Sequence, residues 1–379
     1  MTAIYVHIPY CIKKCRYCDF CSVPKDESAD RYCDALIREI ELRRASLADN
    51  ESVETVFFGG GTPTVLNAED IRRVLEHIKN RYPVSKDAEI SIECNPKTAD
   101  YAGLATLRAA GFNRLSVGLQ SADDRLLSVI GRAHSFSDFE ETMRLARAAG
   151  FENINVDVMH GLPMQTQQSY LDTLKIVCDF EPQHVSAYSL ILEEGTELKR
   201  LVKAKELMLP FEDEVADMQD AGMDYLESRG YRRYEISNFA KEGFECRHNL
   251  TYWNNKPYLG FGVAAHSSVP DRHMWLRFSN TESIKSYLKK TAANKLPTAE
   301  TIKLNKSEQM FETVMLGLRK TEGIDRAEFF ERFEVDIDEY FREAIAAIGV
   351  NGWWEDDEKR LRLNRRGMDL QNSALLYFR

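Results

Sequence analysis

The sequence predicts an α/β protein, a partial (β/α) barrel or open parallel sheet followed by a helical, winged-helix-like C-terminal module. Three observations carry this. Six short segments rich in branched and aromatic residues alternate with helical stretches over about 190 residues. The chemically unusual residues fall at the carboxyl ends of those segments, where parallel α/β folds place their chemistry. After about residue 298 the alternation stops and helices follow one another directly.

The six strand-like segments are IYVHI (4–8), VETVFF (53–58), AEISIE (88–93), RLSVG (114–118), NINVDVM (153–159) and HVSAYSL (184–190). Helical periodicity fills 31–47, 68–82 and 136–150, with Gly150 placed to end the third helix. Four cysteines, Cys11, Cys15, Cys18 and Cys21, follow strand 1, and GGGTPT follows strand 2. Glu93 ends strand 3, Gln120 follows strand 4 and Asp157 lies in strand 5. These positions converge on one face and predict a single active-site-like centre over residues 1–297.

The second part spans 298–379, with LPTAET read as a linker. Asn305 and Glu308 have capping-box spacing before an apolar stripe of Met310, Phe311, Val314, Met315 and Leu318. DRAEFFERF and DEYFREAIAAIG read as two more helices, and GWWEDDEKRLRLN as a hairpin turning at DDEK. Winged helices often bind DNA, but this part carries 17 acidic and 13 basic residues. It is read as a cover or docking module.

A net charge of −10 argues against non-specific nucleic-acid binding. No apolar run approaches the ~18 residues of a membrane span. The N-terminus lacks a basic region followed by a long apolar core, so a cytoplasmic protein is expected. In a reducing compartment, clustered cysteines bind metal or do chemistry more often than they form disulfides. The scattered Cys33, Cys94, Cys178 and Cys246 are read as small buried apolar residues.

Cys11, Cys15 and Cys18 have the spacing C-x3-C-x2-C. Three thiolates on one loop suit three irons of a [4Fe–4S] cluster, leaving the fourth iron open. A structural zinc needs four ligands, and Cys21 is available as the fourth. The cysteines alone leave both readings open.

With Tyr17 before the third cysteine and the glycine-rich turn after strand 2, the loop resembles the radical S-adenosylmethionine (radical SAM) superfamily. YVHIPYC, GGGTPT, SIECNP, SVGLQS, VDVMHGLPMQT and HNLTYW together resemble the subfamily around oxygen-independent coproporphyrinogen III oxidase, and most of all its heme-chaperone branch, over essentially the whole chain. The resemblance implies a (β/α)6 barrel with a C-terminal module of that subfamily. It implies a 4Fe–4S cluster on Cys11, Cys15 and Cys18. It implies S-adenosylmethionine against Tyr5, Tyr17, Gly60, Gly61, Thr62, Glu93, Gln120, Arg132 and Asp157. It further implies heme at His248, Asn249, Tyr252 and Trp253, the H-N-x-x-Y-W pattern, with His248 as an axial ligand and the aromatic rings as stacking surfaces. The expected partners are heme and a recipient hemoprotein, and the resemblance leaves room for peripheral membrane association and a homodimer. No catalytic residue is assigned.

The alternative is radical decarboxylation of coproporphyrinogen III to protoporphyrinogen IX. The oxidase pattern has a fourth cysteine two positions after the third. Here that position is Phe20, and Cys21 comes one residue later. A one-residue shift in an extended loop points the side chain the other way, so Cys21 is read as a spare thiol.

Overall fold

Six strands run parallel in chain order, because each is joined to the next by a helical crossover. In the computed structural model, which describes residues 2–44, 52–271, 274–355 and 357–378, they are Thr2–Ile8, Val53–Gly60, Val84–Cys94, Arg114–Gln120, Asn153–His160 and His184–Ser189. Every neighbouring pair is parallel. The intervening helices include Ala29–Leu42, Ala68–Arg81, Tyr101–Ala110, Phe136–Ala148 and Gln167–Asp179. The first ends at Leu42, short of the expected 47; residues 45–47 of that expectation lie outside the described residues. Gly150 stands at φ +89°, where a glycine ends the third expected helix without strain.

The barrel does not close. Beyond the first strand the sheet continues through Tyr258–Phe261, which pairs parallel, and then through His266–Asp271, Met274–Asn280 and Thr298–Leu304, all antiparallel. Beyond the sixth it continues through Asn238–Ala240 and Arg232–Arg233. The fold is thus a partial (β/α)6 barrel inside a twelve-stranded sheet. The linker reading of LPTAET is corrected. Thr298–Leu304 is an edge strand, with Trp275 opposite Leu304. Its side chains up to Lys303 are largely exposed and polar, so the apolar alternation that reveals a half-buried strand is missing.

One buried polar knot fixes the first helix against this extension. Glu39 is fully buried and its carboxylate accepts from Arg43 Nε (2.8 Å), Asn280 Nδ2 (2.7 Å), the Gly262 amide (2.8 Å) and the Tyr287 hydroxyl (2.7 Å). Gly262 stands at φ +102°, and an added Cβ there would lie 2.5 Å from the His7 carbonyl oxygen. The knot therefore holds the end of the first strand, where the cysteine loop begins.

The C-terminal residues have their own apolar core, including Met310, Val314, Leu318, Phe329, Ile348, Leu361 and Leu375. Asn305 and Glu308 form the expected capping box on helix Lys306–Gly317. Arg326–Phe333 follows as a helix. The single helix expected over 338–349 is broken at Phe341 into Ile337–Tyr340 and Arg342–Val350, because the Phe341 ring turns into the core against Phe329 and Phe378. Trp354–Glu355 and Arg360–Leu363 make the hairpin, with Ile324–Asp325 as third strand. Helices followed by this small sheet give the winged-helix-like form. Position 356 of the expected turn lies outside the described residues.

Candidate functional site

The loop after the first strand is clasped at its base. Tyr10–Cys11 pairs with Val23–Pro24, and the Lys25 amide donates to the Cys11 carbonyl (2.9 Å). Its middle is tied to the barrel where the Arg16 amide donates to the Ile130 carbonyl (3.0 Å) and the Leu198 amide to the Arg16 carbonyl (2.8 Å). Cys11, Cys15 and Cys18 are free thiols that line one cavity of about 130 Å3 at the carboxyl ends of the strands. Cys21 does not line it, and its thiol lies 3.5 Å from the Glu282 carbonyl oxygen.

Glycine lets the second strand approach this loop. A Cβ on Gly61 would lie 2.7 Å from the Tyr10 carbonyl oxygen and 3.0 Å from Cys11 Sγ. Two donors already face the sulfurs: Thr62 Oγ1 lies 3.6 Å from Cys11 Sγ, and Arg132 Nη1 lies 3.6 Å from Cys15 Sγ. Arg132 is itself oriented by Asn95 Oδ1 (2.5 Å) and the Gly118 carbonyl, and Asn95 donates to Thr62 Oγ1 (2.6 Å).

Gln120 stands at φ +74° beside a register shift between strands four and five. Such a bulge re-aims a side chain, here into the cavity. Glu93 accepts from the Gly60 amide (3.0 Å). Burial, and then the Asp157 charge, push the Glu93 carboxyl up to about 8. Burial likewise raises Asp157, although Asn155 Nδ2 (2.7 Å) and the Ser116 hydroxyl (3.4 Å) donate to it.

A second cavity, of about 400 Å3, shares Tyr17, Phe20, Glu93, Ser116, Gln120 and Asp157 with the first and extends into the barrel interior. Tyr5, expected at the S-adenosylmethionine site, lines this second cavity and not the first. Its hydroxyl donates to His7 Nδ1 (3.0 Å), because His7 Nε2 donates to the Cys21 carbonyl (2.9 Å). The helix Arg247–Trp253 closes the interior end, its Arg247 and His248 amides donating to the Glu89 carboxylate at 3.0 and 3.1 Å.

His248, Asn249 and Tyr252 line this cavity together, whereas Trp253 does not. At about 100° per residue, 248, 252 and 249 span one helix face, and 253 lies about 40° beyond 249, at the edge of that face. Trp253 instead lines a separate cavity of about 340 Å3 with Trp275, Phe329 and Arg332, under the Arg319 guanidinium. His248 is 1% exposed, and both its ring nitrogens are engaged, Nδ1 with the Thr55 hydroxyl (2.8 Å) and Nε2 with the Tyr252 hydroxyl (3.0 Å). Burial, and then Arg114, hold its pKa down at about 3, so the ring is neutral.

Sequence reasoning passed over Asn95, Arg114, Ser116, Asn155 and Ser186, all of which line these cavities. The signal was present: Arg114, Ser116, Gly118 and Gln120 recur at every second position of one strand, an alternation that places them on a single face.

The donor set fits an iron–sulfur cluster, with three free thiols on one cavity wall and two hydrogen-bond donors on their sulfurs. Among the described residues no three His, Cys, Asp or Glu side chains are gathered tightly enough to hold one metal ion. Nor, among them, is any helix long and apolar enough to cross a membrane.

Residues 5–177 match the family model of the radical SAM superfamily, and residues 304–370 match that of the HemN C-terminal domain. The chain is 35% identical to the heme chaperone HemW of Bacillus subtilis over 99% of this chain and 98% of the relative. It is 33% identical to the heme chaperone HemW of Escherichia coli over 86% and 85%. It is 34% identical to the mouse mitochondrial radical S-adenosyl methionine domain-containing protein 1 over 99% and 86%. Among solved structures, coproporphyrinogen III oxidase HemN of Escherichia coli, a radical SAM enzyme, superposes with a TM-score of 0.85 at 26% identity, covering 100% of this chain and 89% of that one. With full-length similarity to these relatives and the barrel and cysteine loop in place, this chain belongs to the heme chaperone HemW family of the radical SAM superfamily.

Proposed function

We propose that this chain binds heme and hands it to a recipient hemoprotein, carrying a 4Fe–4S cluster and S-adenosylmethionine beside the heme site. The observation that supports it best is the joined pair of cavities. One is lined by three thiols and the other by the H-N-x-x-Y motif, and Tyr17, Glu93, Gln120 and Asp157 line both.

Cys11, Cys15 and Cys18 would hold the cluster, and Cys21 is left outside the set. Burial raises the Cys11 and Cys18 thiols, so loading releases protons that the free protein holds. When bound, the cluster supplies a one-electron centre and an open iron for a chelating ligand. Gly60, Gly61 and Thr62 admit a ligand against their backbone, while Gln120, Arg132 and Asp157 offer it polar contacts. Tyr5 and Phe57 present an aromatic wall toward His248, with Phe57 stacked on its ring at 5.0 Å. For His248 to reach a heme iron, its Nε2 must exchange the Tyr252 hydroxyl for the metal. Trp253 is proposed to act through the C-terminal core. The chain is further proposed to work in the cytoplasm, with residues 1–297, extended by the edge strand Thr298–Leu304, forming the cofactor-bearing part and the rest of 298–379 the cover.

Likeness to coproporphyrinogen III oxidase supports a second reading, decarboxylation, and the cysteine spacing opposes it. One experiment addresses both. Protein reconstituted without oxygen is titrated with heme and separately incubated with coproporphyrinogen III. The proposal expects a saturable Soret band that weakens or shifts in His248→Ala, and no protoporphyrinogen IX. Multiple turnovers of coproporphyrinogen III overturn it in favour of the oxidase. Heme uptake identical in wild type and His248→Ala removes the imidazole from the site.

A further inference from the structure

Arg114 is a buried cation held by the fields of its neighbours and by no direct partner. It begins the fourth strand, opposite Ser91 on one side and Asn153 on the other, and is 2% exposed. No hydrogen bond or ion pair within the described residues reaches its guanidinium, and its Nε is buried without a partner. A buried cation in that state costs several kcal/mol unless something meets it. The three carboxylates whose fields reach it are occupied elsewhere, Glu93 by the Gly60 amide. Glu89 accepts from the Arg247 and His248 amides, and Asp157 from Asn155 and Ser116. Arg114 lines the larger cavity, and the rings of Phe57 and Tyr252 line it too. A ligand satisfying both has a flat apolar body and an anionic group in a plane that two parallel N–H donors can grip, which describes a carboxylate.

We infer that Arg114 anchors a carboxylate of the ligand in the barrel cavity, on the heme reading a propionate of the porphyrin. The inference rests on that reading and adds a residue the H-N-x-x-Y-W pattern does not contain. It makes the cavity selective for the acid form of the ligand, because an ester leaves the buried charge unmet.

The test compares heme with its dimethyl ester, titrated by Soret absorbance into wild type, Arg114→Met and Arg114→Lys. Circular dichroism and iron content serve as checks on fold and cluster. Methionine fills similar space without charge, so it leaves no buried ion to be met. The expected result is a ten- to hundredfold preference of wild type for heme over the ester, abolished in Arg114→Met and partly kept in Arg114→Lys, whose ammonium cannot grip in parallel. S-adenosylmethionine affinity should be unchanged in all three. A wild type that binds heme and ester equally, or an Arg114→Met that keeps the preference, overturns the inference and leaves heme binding standing. A wild type that takes up neither overturns both. Lost S-adenosylmethionine affinity with the heme preference intact assigns the anion to the amino-acid carboxylate of that ligand, and also overturns the inference.

Discussion

Glu93 and Asp157 enter one cavity from the third and fifth strands, and among the described residues neither carboxylate has a cation in ion-pair contact. Burial, and then the Asp157 charge, disfavour ionisation of Glu93, and burial raises Asp157 as well. Between an ordinary glutamate value near ~4.3 and about 8, the folded chain keeps a proton at Glu93 that the unfolded chain has lost. Stability therefore falls as pH rises through that window. Without ligands, melting temperature should drop from pH 5 to pH 8. Glu93→Gln should flatten the fall, matching wild type near pH 5 and exceeding it near pH 8. A parallel decline in both proteins would show that Glu93 is ionised throughout. At the same scale, Asp157→Ala and Gln120→Ala should weaken S-adenosylmethionine binding about ten- to a hundredfold with cluster content unchanged, measured by calorimetry. Glu93, Gln120 and Asp157 were legible because charged or amide side chains stand out at or within strands this apolar, and the cysteines because four fall within eleven residues. Asn95 was not, because it follows its strand in a loop and small polar residues are common in loops; Ser116 was legible only through its alternation with Arg114, Gly118 and Gln120.

Helices and parallel strands were legible as elements because their apolar periods are strong, and the strand-to-helix alternation admits few topologies. The flanking antiparallel strands escaped notice because edge strands bury less and carry polar side chains, as Thr298–Leu304 does. Two elements meet at the cysteine loop, and the glycine turn tests their fit. Gly61→Ala would drive a methyl group against the Tyr10 carbonyl and Cys11 Sγ. Iron retained after anaerobic reconstitution should fall at least severalfold while circular dichroism stays native. Full iron content in that variant would mean that the loop can withdraw without losing its thiol geometry. The Glu39 knot tests the other side of the loop. Glu39→Ala leaves Arg43 buried without its carboxylate and should cost about 3–5 kcal/mol in chemical denaturation.

Across the whole molecule, the C-terminal core is fastened to the segment that carries the H-N-x-x-Y-W motif. Arg332 donates to the Asn255 carbonyl (2.9 Å), Asn255 Nδ2 to the Thr313 hydroxyl (3.0 Å), and the Thr321 amide to the Tyr234 carbonyl (3.1 Å). The helix Arg247–Trp253 thus has two faces with different neighbours. His248 and Tyr252 look into the barrel cavity, and Trp253 looks toward Trp275, Phe329 and Arg332. The six-residue pattern reads as one site in sequence, but its last member sits where the two cores meet. Asn249 and Trp253 are only about 40° apart on the helix, so the division was not visible until the neighbours of both faces were known. The two faces should respond separately. Trp253→Ala removes a large ring from the junction and should cost roughly 2–4 kcal/mol of stability, with heme affinity within about twofold of wild type. Tyr252→Phe removes only the hydroxyl paired with His248 Nε2. It should leave stability within about 1.5 kcal/mol and alter the Soret position or affinity, because Nε2 then has no hydroxyl to exchange while Nδ1 keeps Thr55. Thermal melts and heme titrations on both variants check this. If Trp253→Ala abolishes heme uptake without loss of stability, the tryptophan belongs to the heme pocket, and the helix must rotate or unwind when the ligand enters.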